Sequence, residues 1–356
     1  MTELLVGTKK GLFVLRGEAR EKEPFQIAAR AFAGDVVEFA IRDPRTGRYF
    51  ASVTSGFFGP RVMFTDDPSG EWTQAKGPAF PEGEEATIER IWVVRPGEEA
   101  GVLYAGSDPA ALWRSDDDGA SWQLNRGLWD QPARPGWQPG FGGLALHSIA
   151  PWPGDPDRLA IAISAAGVWL SEDRGETWRT GYTGLVPEYM PEEQRASTDT
   201  LCVHNMHRAP LQPERLFIQF HGNVYRSNDT GETWTSIADG LPSGFGFPLV
   251  VDPADPDSAF VIPLVGAEDR VTPEGRVRVY ETRDAGGSWT ARGDGLPGPE
   301  AYLTVLRQAF DREGEGPSLG LYLGATSGDV FGSADAGQSW FTVRRHLAPV
   351  TSVRAS

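Results

Sequence analysis

The chain has 356 residues, among them 43 Gly, 28 Pro, 12 Trp and a single Cys, and its formal net charge is -16. Apolar residues make up 40%, enough for a real core, which excludes a disordered chain. The acidic balance disfavours nucleic acid or an anionic membrane surface as a partner, and the lone Cys202 excludes a disulfide framework or a multi-cysteine zinc site.

The opening residues carry no basic stretch ahead of a long apolar core, and no run of ~18 apolar residues occurs anywhere. A cytoplasmic protein is therefore expected. Three alternating stretches come first, at 4–7, 11–15 and 25–30, and read as short strands. A pattern then begins that recurs to the end of the chain: Ser/Thr-x-Asp-x-Gly-x-Ser/Thr-Trp. Its first copy is imperfect, with Thr65, Asp67, Ser69 and Trp72 and the glycine displaced to Gly70. Five full copies end at Trp122, Trp178, Trp234, Trp289 and Trp340, built around Asp117, Asp173, Asp229, Asp284 and Asp335. The steps from Trp to Trp are 50, 56, 56, 55 and 51 residues, a period that belongs to propellers and solenoids.

Each copy reads as a turn. The Asp carboxylate accepts backbone N–H bonds within the turn, the Gly permits a positive φ, and the Trp opens the next strand and buries its ring. A calcium loop is the competing reading of acidic copies such as 116–119, but the late bidentate Glu of an EF-hand is missing. Four strands per period can be traced, for example 147–151, 158–164, 167–171 and 177–182, with no helical periodicity between them. That pattern is a propeller blade. Six copies give six blades. The three N-terminal strands lack a first strand, which the last residues, 349–354, supply. The expectation is an all-β, single-domain protein over 1–356: a seven-bladed β-propeller of four-stranded antiparallel blades, its ring closed by the C-terminal strand completing the N-terminal blade.

These copies resemble the Asp-box (BNR) repeat of sialidases, sortilin-type receptors, xyloglucan-degrading glycosidases and the photosystem II assembly factor propeller. The resemblance covers residues 4–354. The stretches 142–149, 162–168 and 244–248 are similar to a bacterial group commonly labelled exo-alpha-sialidase or BNR-like repeat protein. The sialidase pattern also requires Arg-Ile-Pro in an early blade, three arginines for the substrate carboxylate and a Tyr/Glu nucleophile pair. Here the nearest match is Arg90-Ile91-Trp92, so true sialidase activity is not expected.

Site residues follow from position. The first strand of each blade lines the channel, and the prolines Pro44, Pro96, Pro153, Pro210 and Pro253 mark its end. Six residues earlier stand Glu38, Arg90, His147, His204 and Phe247, with Tyr302 and Val350 as less securely aligned equivalents. His221 and the turn lysines Lys9 and Lys10 fall on the same face. Long connections at 77–89, 126–146 and 181–200 overhang it and bring Trp129, Trp137, Tyr182 and Tyr189.

Three readings stand side by side. One is a pocket for a small polar or anionic ligand, lined by Arg90, Trp129, Trp137, His221, Phe247 and Tyr302. Another is a hydrolase or metal-dependent enzyme. Glu38, His147, His204 and Arg90 would carry its catalysis, or Glu38, His147 and His204, with His221 behind them, would hold a divalent transition metal such as zinc, copper or iron. The third is a scaffold for a protein partner, with a merely solvated channel. His207 should point away from His204 along its strand, and Cys202 reads either as a small buried apolar side chain or as a thiol activated by His204.

Overall fold

The structure, a computed structural model, describes every residue except Phe141, Thr198 and Asp199. Those three fall in two of the expected overhanging connections, 126–146 and 181–200, which are therefore only partly described. The chain is all-β apart from short helical turns. Five sheets have four antiparallel strands each. A further sheet has eight strands. Two four-stranded groups in it meet through one parallel bridge, Gln308 to Ser352. The C-terminal strand Val350–Ala355 belongs to the second group, paired antiparallel with Thr2–Thr8 and followed by Gly11–Gly17 and Gln26–Ala31. It also packs against Val36–Arg42, where Thr351 Oγ1 donates to the Val37 carbonyl.

The core lies between neighbouring sheets. Phe39, Phe50, Val62, Ile91 and Leu103 form one such layer, Leu216, Ile218, Tyr225 and Trp234 part of another. Strands buried on both faces need apolar side chains at consecutive positions, which is what Leu216–Phe220 and Ala259–Pro263 supply. No helix among the described residues is long and apolar enough to cross a membrane.

The recurring turns are built as their residue types dictate. In the copy at Asp173, Ser171 Oγ donates to Oδ1 (2.9 Å), the Thr177 N–H donates to Oδ1 (2.9 Å), and Thr177 Oγ1 donates to Oδ2 (2.5 Å). The Gly175 N–H donates to Ser171 Oγ at 2.8 Å. The same bonds recur at Asp117, Asp229, Asp284 and Asp335. Gly175 has φ 89° and the preceding Arg174 φ 63°. The side-chain bonds thus hold a non-glycine residue in the left-handed region, which local sterics disfavour. The tryptophan ring N–H donates back to the turn glycine in three copies, as from Trp178 to the Gly175 carbonyl (2.9 Å). In the other two it reaches the adjoining sheet: Trp234 bonds the Gly181 carbonyl and Trp289 the Ile237 carbonyl. The imperfect copy keeps the Asp67–Ser69 bonds, but the Trp72 ring nitrogen has no partner among the described residues. Asp173→Ala is expected to cost about 1–2 kcal/mol, because it removes the side-chain bonds that hold the turn and its left-handed Arg174 backbone. Urea denaturation checks this, with Asp67→Ala showing a smaller loss.

Each sheet begins with a strand facing a shared cavity. Val36–Arg42, Arg90–Pro96, Leu146–Trp152, Val203–Arg208, Gly246–Val251, Val305–Glu313 and Val350–Ala355 all contribute to its lining, and its volume is about 840 Å³. Each of these strands carries an irregularity at a corresponding level. One extra residue bulges at Glu38, Trp92, His147, His204 and Thr351, and one at Phe247–Pro248. In Val305–Glu313 the insertion is larger, with the four residues 306–309 opposing Gly324 alone. A bulge re-aims side chains out of the regular pleat. Here the largest one sends Arg307 and Gln308 across the channel. Gln308 Nε2 donates to the His147 carbonyl (3.0 Å), Arg307 Nε donates to the His204 carbonyl, and Asn205 Nδ2 donates to the Arg307 carbonyl (3.2 Å). These bonds form a polar crossbar at mid-channel.

Candidate functional site

The bulges decide which side chains meet on the channel face. His204 is buried, and its Nδ1 donates to the Gly246 carbonyl at 2.6 Å. A carbonyl only accepts, so that bond fixes the Nδ1–H tautomer and leaves Nε2 as an acceptor, with the His221 Nδ1–H as its donor. Nε2 faces His221 Nδ1 at 3.2 Å, and the Cys202 sulfur joins the same group, with all three donor atoms within 4.8 Å of one another. Aromatic rings enclose the group. Phe247 stacks on His204 (4.7 Å between ring centres), Phe245 meets both imidazoles edge-on (5.2 and 5.1 Å), and Tyr189 lies 4.4 Å from His221. Burial drives the His204 and His221 pKa values down, and the cationic Arg307 and Arg270 add to the effect, Arg307 at His204 and Arg270 at both. Both imidazoles are therefore neutral near pH 7.

Beside them lies a positive basin. Arg307, buried, has its pKa lowered to about 10, chiefly by burial, with Arg90 and Arg270 contributing in the same direction. Its guanidinium lies 5.1 Å from the Trp92 ring centre and 5.9 Å from that of Phe247. Arg270 approaches Phe247 to 5.6 Å and Arg90 approaches Trp92 to 4.8 Å. Among the described residues only Arg90 of the three is ion-paired, with Glu38 at 3.2 Å. Burial pushes the Glu38 carboxyl up against the opposing pull of Arg90 and Lys9. Asp108 is raised too, by burial and then by Glu89.

The residues expected from sequence are thus divided. His204, His221 and Phe247 come together, and Glu38 meets Arg90. His147 does not join them as a ligand: its Nδ1 bonds Ser148 Oγ and its Nε2 the Val203 carbonyl, both at 2.9 Å, so neither ring nitrogen is free. The four-residue metal set Glu38, His147, His204 and His221 is accordingly not one cluster. Arg90 stands two residues before the bulge that Trp92 occupies, because the turn after this strand is shorter and Pro96 ends the strand itself. Thr351, not Val350, is the bulged residue of the last strand. Tyr302 precedes the strand Val305–Glu313 and is 64% exposed, so Arg307 takes the place expected for it.

Trp129 and Trp137 belong to a separate loop cluster. Arg134 lies 3.4 Å from the Trp129 ring centre and 5.6 Å from that of Trp137. Trp129 also packs on Phe80 and Trp137 on Trp169, beside a shallow depression of about 550 Å³. Cys202, Trp92, Arg270, Arg307 and Asp108 are the additions. Of these only Cys202 had a sequence signal, its i, i+2 spacing to His204.

The fold and this channel define the class: a β-propeller. No family model matches the chain. A probable oligoxyloglucan-reducing end-specific xyloglucanase of Neosartorya fischeri is 27% identical over 187 residues, 50% of this chain and 21% of that protein, so the chain spans about a fifth of its length. Among solved structures, an ancestral GH74 enzyme matches with a TM-score of 0.58 at 16% identity, over 90% of this chain and 38% of that one. Citrobacter koseri AztD matches with 0.58 at 11% identity, over 100% and 97%. YCF48 from Cyanidioschyzon merolae matches with 0.55 at 12% identity, over 86% and 84%. At these identities the likeness is one of fold.

Proposed function

We propose that the chain is a closed ring of seven Asp-box blades whose channel mouth binds a small anionic ligand. Three observations support the ring: seven sheet-leading strands lining one cavity, the pairing of Val350–Ala355 with Thr2–Thr8, and its packing on both Val305–Glu313 and Val36–Arg42. The observation that carries the ligand reading is the convergence of Arg90, Arg270 and Arg307, with Glu38 as the single carboxylate ion-paired to them among the described residues. Guanidinium groups take carboxylates and phosphates in bidentate fashion, and gathering several without counter-charges is costly unless an anion completes the set. Cation–π contacts on Trp92 and Phe247 hold the guanidinium groups, and the buried Trp92 Nε1 has no partner among the described residues. The likeness to a GH74 enzyme and a xyloglucanase makes sugar acids the first class to test.

Thermal melts with glucuronate, galacturonate and glucose 6-phosphate provide the test. A ligand at 100 times its Kd adds about 2.7 kcal/mol of stability. Arg270→Gln and Arg90→Gln, both at partly exposed positions, are expected to remove the shift while the protein stays folded. A shift unchanged in that double variant, or none with any acid tested, overturns the reading. Hydrolysis is the second reading, favoured by the two upshifted carboxyls, Glu38 and Asp108, which both sense Arg90.

A further inference from the structure

Beyond that reading, we propose that Cys202, His204 and His221 form a three-coordinate site for a single soft metal ion, monovalent copper. The spacing is that of ligands: two nitrogens each about 2.0 Å from one metal lie roughly 3.3–3.5 Å apart, and His204 Nε2 and His221 Nδ1 are 3.2 Å apart. The sulfur completes the triangle within 4.8 Å.

The surrounding bonds prepare each donor. The Gly246 carbonyl fixes the His204 tautomer with the Nε2 lone pair turned to His221, which is how an outer partner orients a metal-binding imidazole; a metal would take the place of the His221 Nδ1 proton between the two rings. The His221 N–H donates to the Cys202 carbonyl (3.0 Å) and the Cys202 N–H to the Tyr189 hydroxyl (3.0 Å), tying the two ligand backbones together. Burial raises the Cys202 thiol against the smaller opposing pulls of Arg307, the Ala165 N–H and Arg270, so the metal displaces the thiol proton as it binds.

The choice of ion follows from charge and ligand softness. One thiolate and two imidazoles, without a carboxylate, suit copper. A monovalent ion and one thiolate make a neutral unit, which the nearby Arg307 and Arg270 tolerate better than a doubly charged one. The shell of Phe245, Phe247 and Tyr189 restricts water as a fourth ligand.

The test is anaerobic titration of the untagged full chain with Cu(I) against a competing chromophoric chelator. One equivalent is expected to stay with the protein, with an ultraviolet thiolate-to-copper band. Cys202→Ser and His221→Ala should each weaken retention at least 100-fold. His346→Ala, at an exposed histidine outside the cluster, should leave it unchanged. His221 is only partly buried, so its variant reads out even if Cys202→Ser fails to fold. Copper retained by the Cys202→Ser/His221→Ala double variant overturns the site. No retention, or zinc held in preference to Cu(I), overturns the metal. The anion melts do not use the thiol, so either result stands without the other.

Discussion

Deleting residues 349–356 should abolish cooperative folding. The strand Val350–Ala355 is the inner partner of Thr2–Thr8, pairing Leu4 with Ala355, Leu5 with Arg354, Val6 with Val353, Gly7 with Ser352 and Thr8 with Val350. Val350 and Val353 are fully buried. Their burial alone contributes about 3–6 kcal/mol, of the order of a domain's whole net stability of about 5–15 kcal/mol. The deletion also strips Thr2–Thr8 of its partner and leaves the first sheet with an unpaired edge towards the channel. The expected result is a chain without a sharp unfolding transition by calorimetry and with an aggregation tendency the full chain lacks. A truncated protein that melts within a few degrees of the full chain would sink the proposed ring closure.

Acid should weaken the fold well above the range in which its carboxylates titrate. His147 and His204 are held neutral with pKa values well below 6.5, and His207 is lowered to about 3, in each case chiefly by burial. Arg307 adds to the effect at His147 and His204, and Arg95, Arg354 and Arg312 at His207. The unfolded chain takes up protons at these imidazoles as pH falls through 6.5, and the folded chain does not. The stabilisation is therefore complete above about pH 6.5 and is lost progressively below it, towards pH 3 for His207. Each such histidine contributes at most about 1.4 kcal/mol per pH unit, and His207 less, since it is only partly buried and lines the cavity. Glu38 and Asp108 act in the opposite sense, because the folded state protonates them first. The turn aspartates enter later, as pH falls through their ordinary range, where the unfolded chain takes up protons and the folded one does not. Asp284, for example, is lowered by the Ser288 and Thr282 hydroxyls. Urea unfolding at a series of pH values from 7.5 to 4.5 should give a falling stability, with a gentler slope in His147→Gln. A flat profile would mean that these histidines titrate as freely in the fold as out of it.

The residues explain what was legible. The turns at Asp117, Asp173, Asp229, Asp284 and Asp335 were readable because every bond that makes them lies within seven residues. The strands between them show as apolar alternation at a ~50-residue period. The channel residues were legible only while the inner strands kept one spacing to their prolines. That rule reached His147, His204 and Glu38, and it missed Trp92, where the following turn is shorter. It could not reach Arg307, in the inner strand whose bulge admits three extra residues and whose turn lacks the marker proline.

Local chemistry in the sequence thus determined the repeat, its turns and the all-β class, because short-range hydrogen bonds and strand periodicity are written in consecutive residues. Tertiary structure alone decided which polar side chains meet. It saturated His147 with a neighbouring strand's carbonyl, paired Glu38 with Arg90, and set Arg307 across the channel. It also turned Cys202, His204 and His221 toward one point. Bulges and inter-sheet contacts depend on partners tens of residues away, and no local pattern encodes them.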